Sequence, residues 1–420
     1  MTEIELGYGE ETITFNFDTD RFSLLAQRGS SQVPLTDVEI GAAFDTTIDS
    51  PPLDELISDA DSVLIVVSDA TRATGSAQIV NLLIRRLIQG GISPSNIAII
   101  FATGIHRPVT DQEKLELLTP FIVQRIRTIV HDAYNPENLI VLGVTERGIE
   151  VQVNKALTEF SKTIVVGGIG FHYFAGFTGG RKSICPGLAS SATIEGTHML
   201  ALDFKKGGRK AGVGTGLLDG NAVHEECERV ANLVNPSFVV NSVVDEKKRI
   251  VGLWCGHWRT SHRTACQAYL KDHSVEISAK RDLVLVSCGG FPHDINLIQA
   301  HKALDMAAYA CREGGAIILV AQCRDGLGRS DFLKWFESAT SAALEKRLQD
   351  KYEVNGQTAW SLLLKAERYR VFLVSDLPPH EVRQMRMVPV PSVQAALDDI
   401  GSTTEGYIMP RGAAYLPRQV

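Results

Sequence analysis

"KTIVVGGIGFHYFAGFTGGRKS" spans Lys162–Ser183. An apolar, β-branched run breaks into glycines, a histidine follows, and a lysine stands at the far end. The run has the composition of a strand buried on both faces, and the glycine-rich stretch that of a loop entering a helix. The same apolar signature recurs in "SVLIVVSDA" (62–70), "NIAIIFATG" (96–104), "NLIVLGV" (138–144), "SFVVNSVVD" (237–245), "DLVLVSCGG" (282–290), "GAIILVAQC" (315–323) and "RVFLVSDL" (370–377). Helical periodicity lies between several of these runs. In "SAQIVNLLIRRLIQGG" (76–91), Ile79, Leu83 and Leu87 share a face and Gly90–Gly91 supplies the stop. Strands alternating with helices predict an α/β protein with mainly parallel, doubly wound, Rossmann-like sheets.

The length of 420 residues predicts two domains. A polar stretch, "KDHSVEISAKRD" (271–282), precedes a fresh strand and sets the boundary. We expect residues 1–275 to form an N-terminal cofactor-binding domain, rejoined by 403–420, and 276–402 a C-terminal α/β domain. A net charge of −7 argues against a nucleic-acid or anionic-membrane surface. No apolar run approaches the ~18 residues of a membrane span. The start, "MTEIELGYGEE", has no signal-peptide core. Seven cysteines stand singly, without a CxxC, which predicts a reducing, cytoplasmic compartment.

In doubly wound sheets, function gathers where strands end. Three such ends carry unusual residues: "VVSDATRATGS" (66–76), "FATGIHRP" (101–108) and the loop before Lys182. The segment "GFTGGRKS" fails as a P-loop, because Arg181 occupies the place of its last glycine. Lys182 is left as a phosphate neighbour, a covalent tether or a Schiff-base nucleophile. His106 and His172 each follow a strand end and suit a pair of acid/base groups. Arg72, beside Asp69, offers a planar fork to a carboxylate or phosphate. His198 lies in a helix capped by Ser190 or Ser191. Gln299 and Lys302 stand one helical turn apart, suited to a substrate carboxylate. No clustered metal motif such as HExxH is present, so a bound metal would draw most ligands from elsewhere, for example from a cofactor. Cys185 reads as packing. His257, His262 and His273, with Trp254 and Trp258, read as packing and surface. The basic segment 203–212 reads as a solvated loop or a phosphate neighbour. From these residues a Schiff-base lyase or aldolase and a noncatalytic phosphometabolite-binding protein both remain open.

The motifs "SDATR", "ATGIHRP", "HYFAGFTGGRKSICPG", "THM" and "QAHK", in that order, resemble the nickel-pincer-nucleotide-dependent lactate racemases and related 2-hydroxyacid racemases and epimerases. The resemblance covers essentially the whole chain. It implies that Lys182 is covalently attached to a nickel pincer nucleotide, a pyridinium mononucleotide whose two sulfurs and one ring carbon hold nickel. His198 would be the protein's metal ligand, and His106 and His172 the acid/base pair. Asp69, Ala70, Thr71 and Arg72 would contact the cofactor, and Gln299, Lys302 and Arg72 the substrate. The implied reaction inverts Cα of a 2-hydroxy acid through a planar 2-keto acid, with the hydride passing to the cofactor and back. Closure of the two domains would exclude water. The implied partners are a small 2-hydroxy acid and the cofactor-synthesis enzymes, with no nucleic acid or membrane. Phe171 before His172 and Thr197 before His198 depart from the family's common pattern, so lactate, larger, dicarboxylic and sugar acids all stay open as substrates.

Overall fold

The computed structural model describes residues 2–26, 33–338, 340–401 and 403–420. Two units divide the chain. One ends at Ala201 and resumes over Ala211–Tyr269; the other takes the N-terminal segment, Leu202–Lys210 and Leu270–Val420.

The sheet of the first unit runs Ile250–Gly256, Phe238–Val244, Lys162–Gly168, Val63–Ser68, Ile97–Ala102, Arg127–Ile129. Neighbours are parallel except at the Ile250–Gly256 edge. Every residue of Val63–Ser68 is buried, as a central strand covered on both faces requires. Helix Ser76–Gln89 turns Ile79, Val80, Leu83, Ile84 and Leu87 into the core beside Ile65, Ile99 and Val166. Each such side chain contributes roughly 1.5–3 kcal/mol of burial free energy. After Val63–Ser68 the chain adds Ile97–Ala102 and Arg127–Ile129 on one side, then Lys162–Gly168 and Phe238–Val244 on the other. The direction of growth therefore reverses between Val63–Ser68 and Lys162–Gly168, where doubly wound sheets open a ligand crevice.

The other unit holds a parallel sheet in the order Val388–Pro389, Arg370–Val374, Cys311–Val320, Arg281–Ser287, Gly406–Met409, Phe22–Leu24. This corrects the expected domain limits at both ends. The 403–420 segment does not rejoin the N-terminal domain: Gly406–Met409 pairs with Arg281–Ser287 and Phe22–Leu24, and Leu416–Gln419 with Ser274–Ile277. The chain start also belongs here rather than to a domain spanning 1–275. Thr2–Tyr8 and Glu11–Phe17 form a hairpin that sends Leu6, Phe15 and Phe17 into the core with Phe22.

Two further expectations change. "NLIVLGV" is not a strand of the main sheet. Leu139–Val144 pairs antiparallel with Glu150–Asn154 and leaves Ile140, Val141 and Val144 exposed. The basic segment 203–212 is anchored rather than freely solvated. Arg209 reaches Asp305 at 3.1 Å and the Gly208 amide donates to Glu345 at 2.9 Å. Among the described residues no helix is long and apolar enough to cross a membrane.

Candidate functional site

The three strand ends singled out in the sequence belong to Lys162–Gly168, Val63–Ser68 and Ile97–Ala102, which are neighbours in one sheet. Their carboxyl ends flank the reversal point.

At the end of Val63–Ser68 the chain turns sharply. The Thr71 amide and hydroxyl donate to Asp69 Oδ1 at 3.1 and 2.6 Å, and the Arg72 amide to the Asp69 carbonyl at 3.2 Å. Asp69 is buried, while Ala70, Thr71 and Arg72 are exposed. The other carboxylate oxygen, Oδ2, lies 2.7 Å from Nδ1 of His106, which stands beyond the end of Ile97–Ala102. Burial resists ionisation of Asp69, but hydrogen bonds from His106 and Thr71, with the charges of His106 and Arg72, outweigh it and hold the carboxyl below its usual range. In its neutral form His106 donates Nδ1–H to this carboxylate and keeps its Nε2 lone pair, on a half-exposed ring, for another partner.

After Lys162–Gly168 the chain makes a small hairpin, Phe171–His172 paired with Gly176–Phe177. The turn folds back on His172: the Ala175 and Phe174 amides lie 3.2 and 3.5 Å from its Nδ1. An Nδ1 that accepts leaves the proton of the neutral ring on Nε2. The next helix, Gly180–Ile184, lies hard against the strand, where a Cβ on Gly167 would stand 2.6 Å from the Gly180 amide. Gly179, at φ 120°, makes the entry in a conformation that side chains avoid.

Lys182 is on this helix. Burial pulls its ammonium down to about 7, with the positive charges of Arg72 and Arg181 adding to the effect and Cys227 opposing it. His198 lies on helix Ser191–Met199, capped by Ser190, whose hydroxyl accepts from the Thr193 amide at 3.2 Å. Burial, with the nearby Lys182 charge, lowers His198 to about 3 and keeps its imidazole neutral at ordinary pH.

One side chain the sequence reading passed over links these groups. The ring of Phe174 lies 4.4 Å from that of His172 and 5.0 Å from that of His198, both edge to face, and Lys182 Nζ is 5.4 Å from its centre. Phe174 is itself buried. Its place two residues after His172 carries no periodic signal, so only the fold exposes its position. Near Lys182 lie two buried thiols, Cys185 and Cys227. Cys185 is held protonated, pushed up by its neighbour Cys227 and by burial, while Cys227 is drawn down, with the charges of Lys182 and Arg181 contributing. Cys185 packs, as expected, with Thr197 Oγ1 3.7 Å from its sulfur. His262, read from sequence as packing and surface, is fully buried, with its Nε2 2.8 Å from Arg181 Nη1 and 2.9 Å from the Thr178 carbonyl.

Gln299 and Lys302 lie in the other unit, on helix Leu297–Ala310. They share a face, with Lys302 Nζ donating to Gln299 Oε1 at 2.6 Å. Among the described residues no three His, Cys, Asp or Glu side chains gather as a metal site.

Comparison with known proteins places the chain in a family. The lactate racemase N-terminal domain matches residues 8–208 and the lactate racemase C-terminal domain residues 277–407. A lactate racemase of Lactiplantibacillus plantarum is 30% identical over 413 residues, covering 95% of this chain and 94% of that one. One from Thermoanaerobacterium thermosaccharolyticum is 29% identical over 437 residues, covering all of both. The solved apoprotein structure of the T. thermosaccharolyticum lactate racemase superposes with a TM-score of 0.91 at 28% identity over the whole of both chains. A Thermotoga maritima protein shares the fold alone, with a TM-score of 0.66 at 20% identity over 92% of this chain and 99% of that one.

Proposed function

The chain belongs to the lactate racemase family, and from that membership we propose that it inverts Cα of a 2-hydroxy acid, lactate-like or larger, using a nickel pincer nucleotide tethered to Lys182. The observation that carries this reading is the grouping of His172, Lys182 and His198 around Phe174, with Asp69-held His106 on the adjacent strand end.

The residues fit such a group. An amine whose ammonium is drawn down to about 7 is available for a covalent bond, and a buried, neutral imidazole is a competent nickel ligand. A group that brings its own sulfur and carbon donors needs only one ligand from the protein, in keeping with a single histidine at this position. When bound, it supplies the acceptor and donor for a hydride.

The chain's own residues handle protons and carboxylate. His106 Nε2 offers the lone pair that takes the substrate hydroxyl proton, and Asp69 stabilises the imidazolium that forms. His172 presents Nε2–H; protonation at Nδ1, with release of the backbone hydrogen bonds there, gives the imidazolium that donates the Nε2 proton and is left as the neutral Nδ1–H ring. For the opposite enantiomer that Nδ1–H ring offers its Nε2 lone pair as the base, and the imidazolium of His106 is the acid. Arg72, with Asp69, Ala70 and Thr71, is assigned to the cofactor and, for Arg72, to the substrate as well. Gln299 and Lys302 are assigned to the substrate carboxylate.

The test is chiral chromatography of single enantiomers of lactate and larger 2-hydroxy acids, incubated with chain co-produced with the cofactor-synthesis enzymes. We expect inversion of at least one acid, abolished by His106→Ala and by His172→Ala. A fully loaded chain that inverts none of them contradicts the reading. A low-pKa lysine also suits a Schiff base. That second reading predicts borohydride trapping of a carbonyl substrate on Lys182 without metal.

A further inference from the structure

Arg181 stands where a phosphate loop would need glycine, and only 1% of it is exposed. A guanidinium has five N–H donors in a rigid fork. Nε donates to His224 Nδ1 at 2.8 Å. Nη1 donates to the Thr178 carbonyl at 3.2 Å and lies 2.8 Å from His262 Nε2, which is itself 2.9 Å from the same carbonyl. Nη2 donates to the carbonyls of Ala175 at 3.1 Å and Phe177 at 3.2 Å.

None of these acceptors is a carboxylate, and a buried cation without a counter-charge is costly. The compensation arrives one residue removed. His224 Nε2 lies 3.2 Å from Glu228 Oε1, so the imidazole accepts from Arg181 on one nitrogen and donates to Glu228 on the other. Glu228 is in turn held by Arg263 at 3.3 Å.

The three carbonyls lie in the hairpin that carries His172 and just after it: Ala175 in its turn, Phe177 on its returning strand and Thr178 next in the chain. Ala175 is bound on both sides: its amide donates to His172 Nδ1, and its carbonyl accepts from Arg181. The fork therefore holds the peptide that directly follows the one bonded to the imidazole. We propose that Arg181, braced by His224 and His262, is a positioning residue that sets the tautomer and aim of His172. The inference rests on the assignment of His172 to proton transfer.

Arginine-to-lysine replacement keeps the charge and loses the fork. In cofactor-loaded enzyme, Arg181→Lys is expected to lower kcat by tens-fold to about 10²-fold, as for a misplaced acid/base group, with KM changed by less than about threefold and the Lys182 adduct intact by mass. His224→Asn offers its Oδ1 in place of Nδ1 but loses the link to Glu228, and is expected to fall less than His224→Leu, which falls as Arg181→Lys does. Nitrogen-15 NMR of the histidines supplies a readout independent of turnover. Wild-type His172 shows the Nε2–H tautomer, and Arg181→Lys shows a mixture of both. Wild-type kcat together with an unchanged His172 tautomer in folded Arg181→Lys overturns the inference. If Arg181→Lys does not fold, equal kcat and tautomer in His224→Asn and His224→Leu overturn it. Should the loaded wild-type chain invert no substrate, the racemase reading fails, while the tautomer comparison still decides the role of Arg181.

Discussion

Asp69 grips His106 from behind: the carboxylate Oδ2 sits 2.7 Å from the ring Nδ1, and Thr71 fastens the other oxygen. Asp69→Asn keeps the shape but allows the amide NH₂ to face Nδ1, which then gives up its proton and sends the hydrogen to Nε2. A ring protonated at Nε2 accepts nothing there. We expect kcat to fall by about 10²–10⁴-fold, the usual worth of a general base, with substrate KM little changed. Steady-state kinetics on loaded enzyme checks this; kcat within a few-fold of wild type removes Asp69 from the mechanism.

Phe174 is the common wall of His172, His198 and Lys182. Phe174→Leu keeps apolar volume but removes the flat ring that both imidazoles meet edge-on. It is expected to cost about 1–2 kcal/mol in unfolding free energy, below the roughly 3–5 of a full truncation to alanine. Nickel per chain should fall in parallel, measured by elemental analysis beside urea unfolding. Unchanged nickel content would show that His198 is placed by its helix alone.

His131 gives a pH dependence whose sign follows from burial. Desolvation lowers it from 6.5 to about 4; its Nε2 donates to the Ala189 carbonyl and its Nδ1 accepts from Asn154, both at 3.2 Å. The unfolded chain binds the proton first, so stability is complete above the unfolded value of 6.5 and is lost as pH falls from there toward 4. At pH 5 this one group removes about 2 kcal/mol relative to pH 8. His224, also lowered to about 4, acts in the same direction. His131→Gln, able to keep both hydrogen bonds without titrating, should flatten the difference between urea unfolding at pH 8 and pH 5 by about that amount.

Lys365 and Asp305 form a buried ion pair at 2.7 Å, with Arg209 at 3.1 Å from the same oxygen. Lys365→Met strands part of a buried negative charge. With Arg209 still in place, a loss of about 3 kcal/mol is expected, the low end for breaking a buried pair. Denaturant unfolding measures it. A loss below about 1 kcal/mol would show the pair to be no stronger than a surface contact.

Periodicity made the central strands legible because each is apolar throughout, and strand ends pointed to Asp69, His106, His172 and Lys182. Other features were hidden for physical reasons. "GYIMP" near the C-terminus is a short apolar run, and nothing local says which sheet it joins. Leu139–Val144 has strand composition without burial, since an antiparallel hairpin needs β-propensity and not a core. The N-terminal hairpin does alternate, with Gly9 at φ 60° in its turn, but nothing local says which core it joins. Arg181 was illegible because its side-chain partners, His224 and His262, are distant in sequence and meet it only through folding.

The proposed chemistry depends most on what Lys182 carries. Intact mass with peptide mapping, on chain co-produced with the cofactor-synthesis enzymes, addresses that directly. We predict a nickel-containing nucleotide adduct on the peptide bearing Lys182, absent from Lys182→Ala. An unmodified Lys182, with the cofactor demonstrably present in the same cells, would contradict the account.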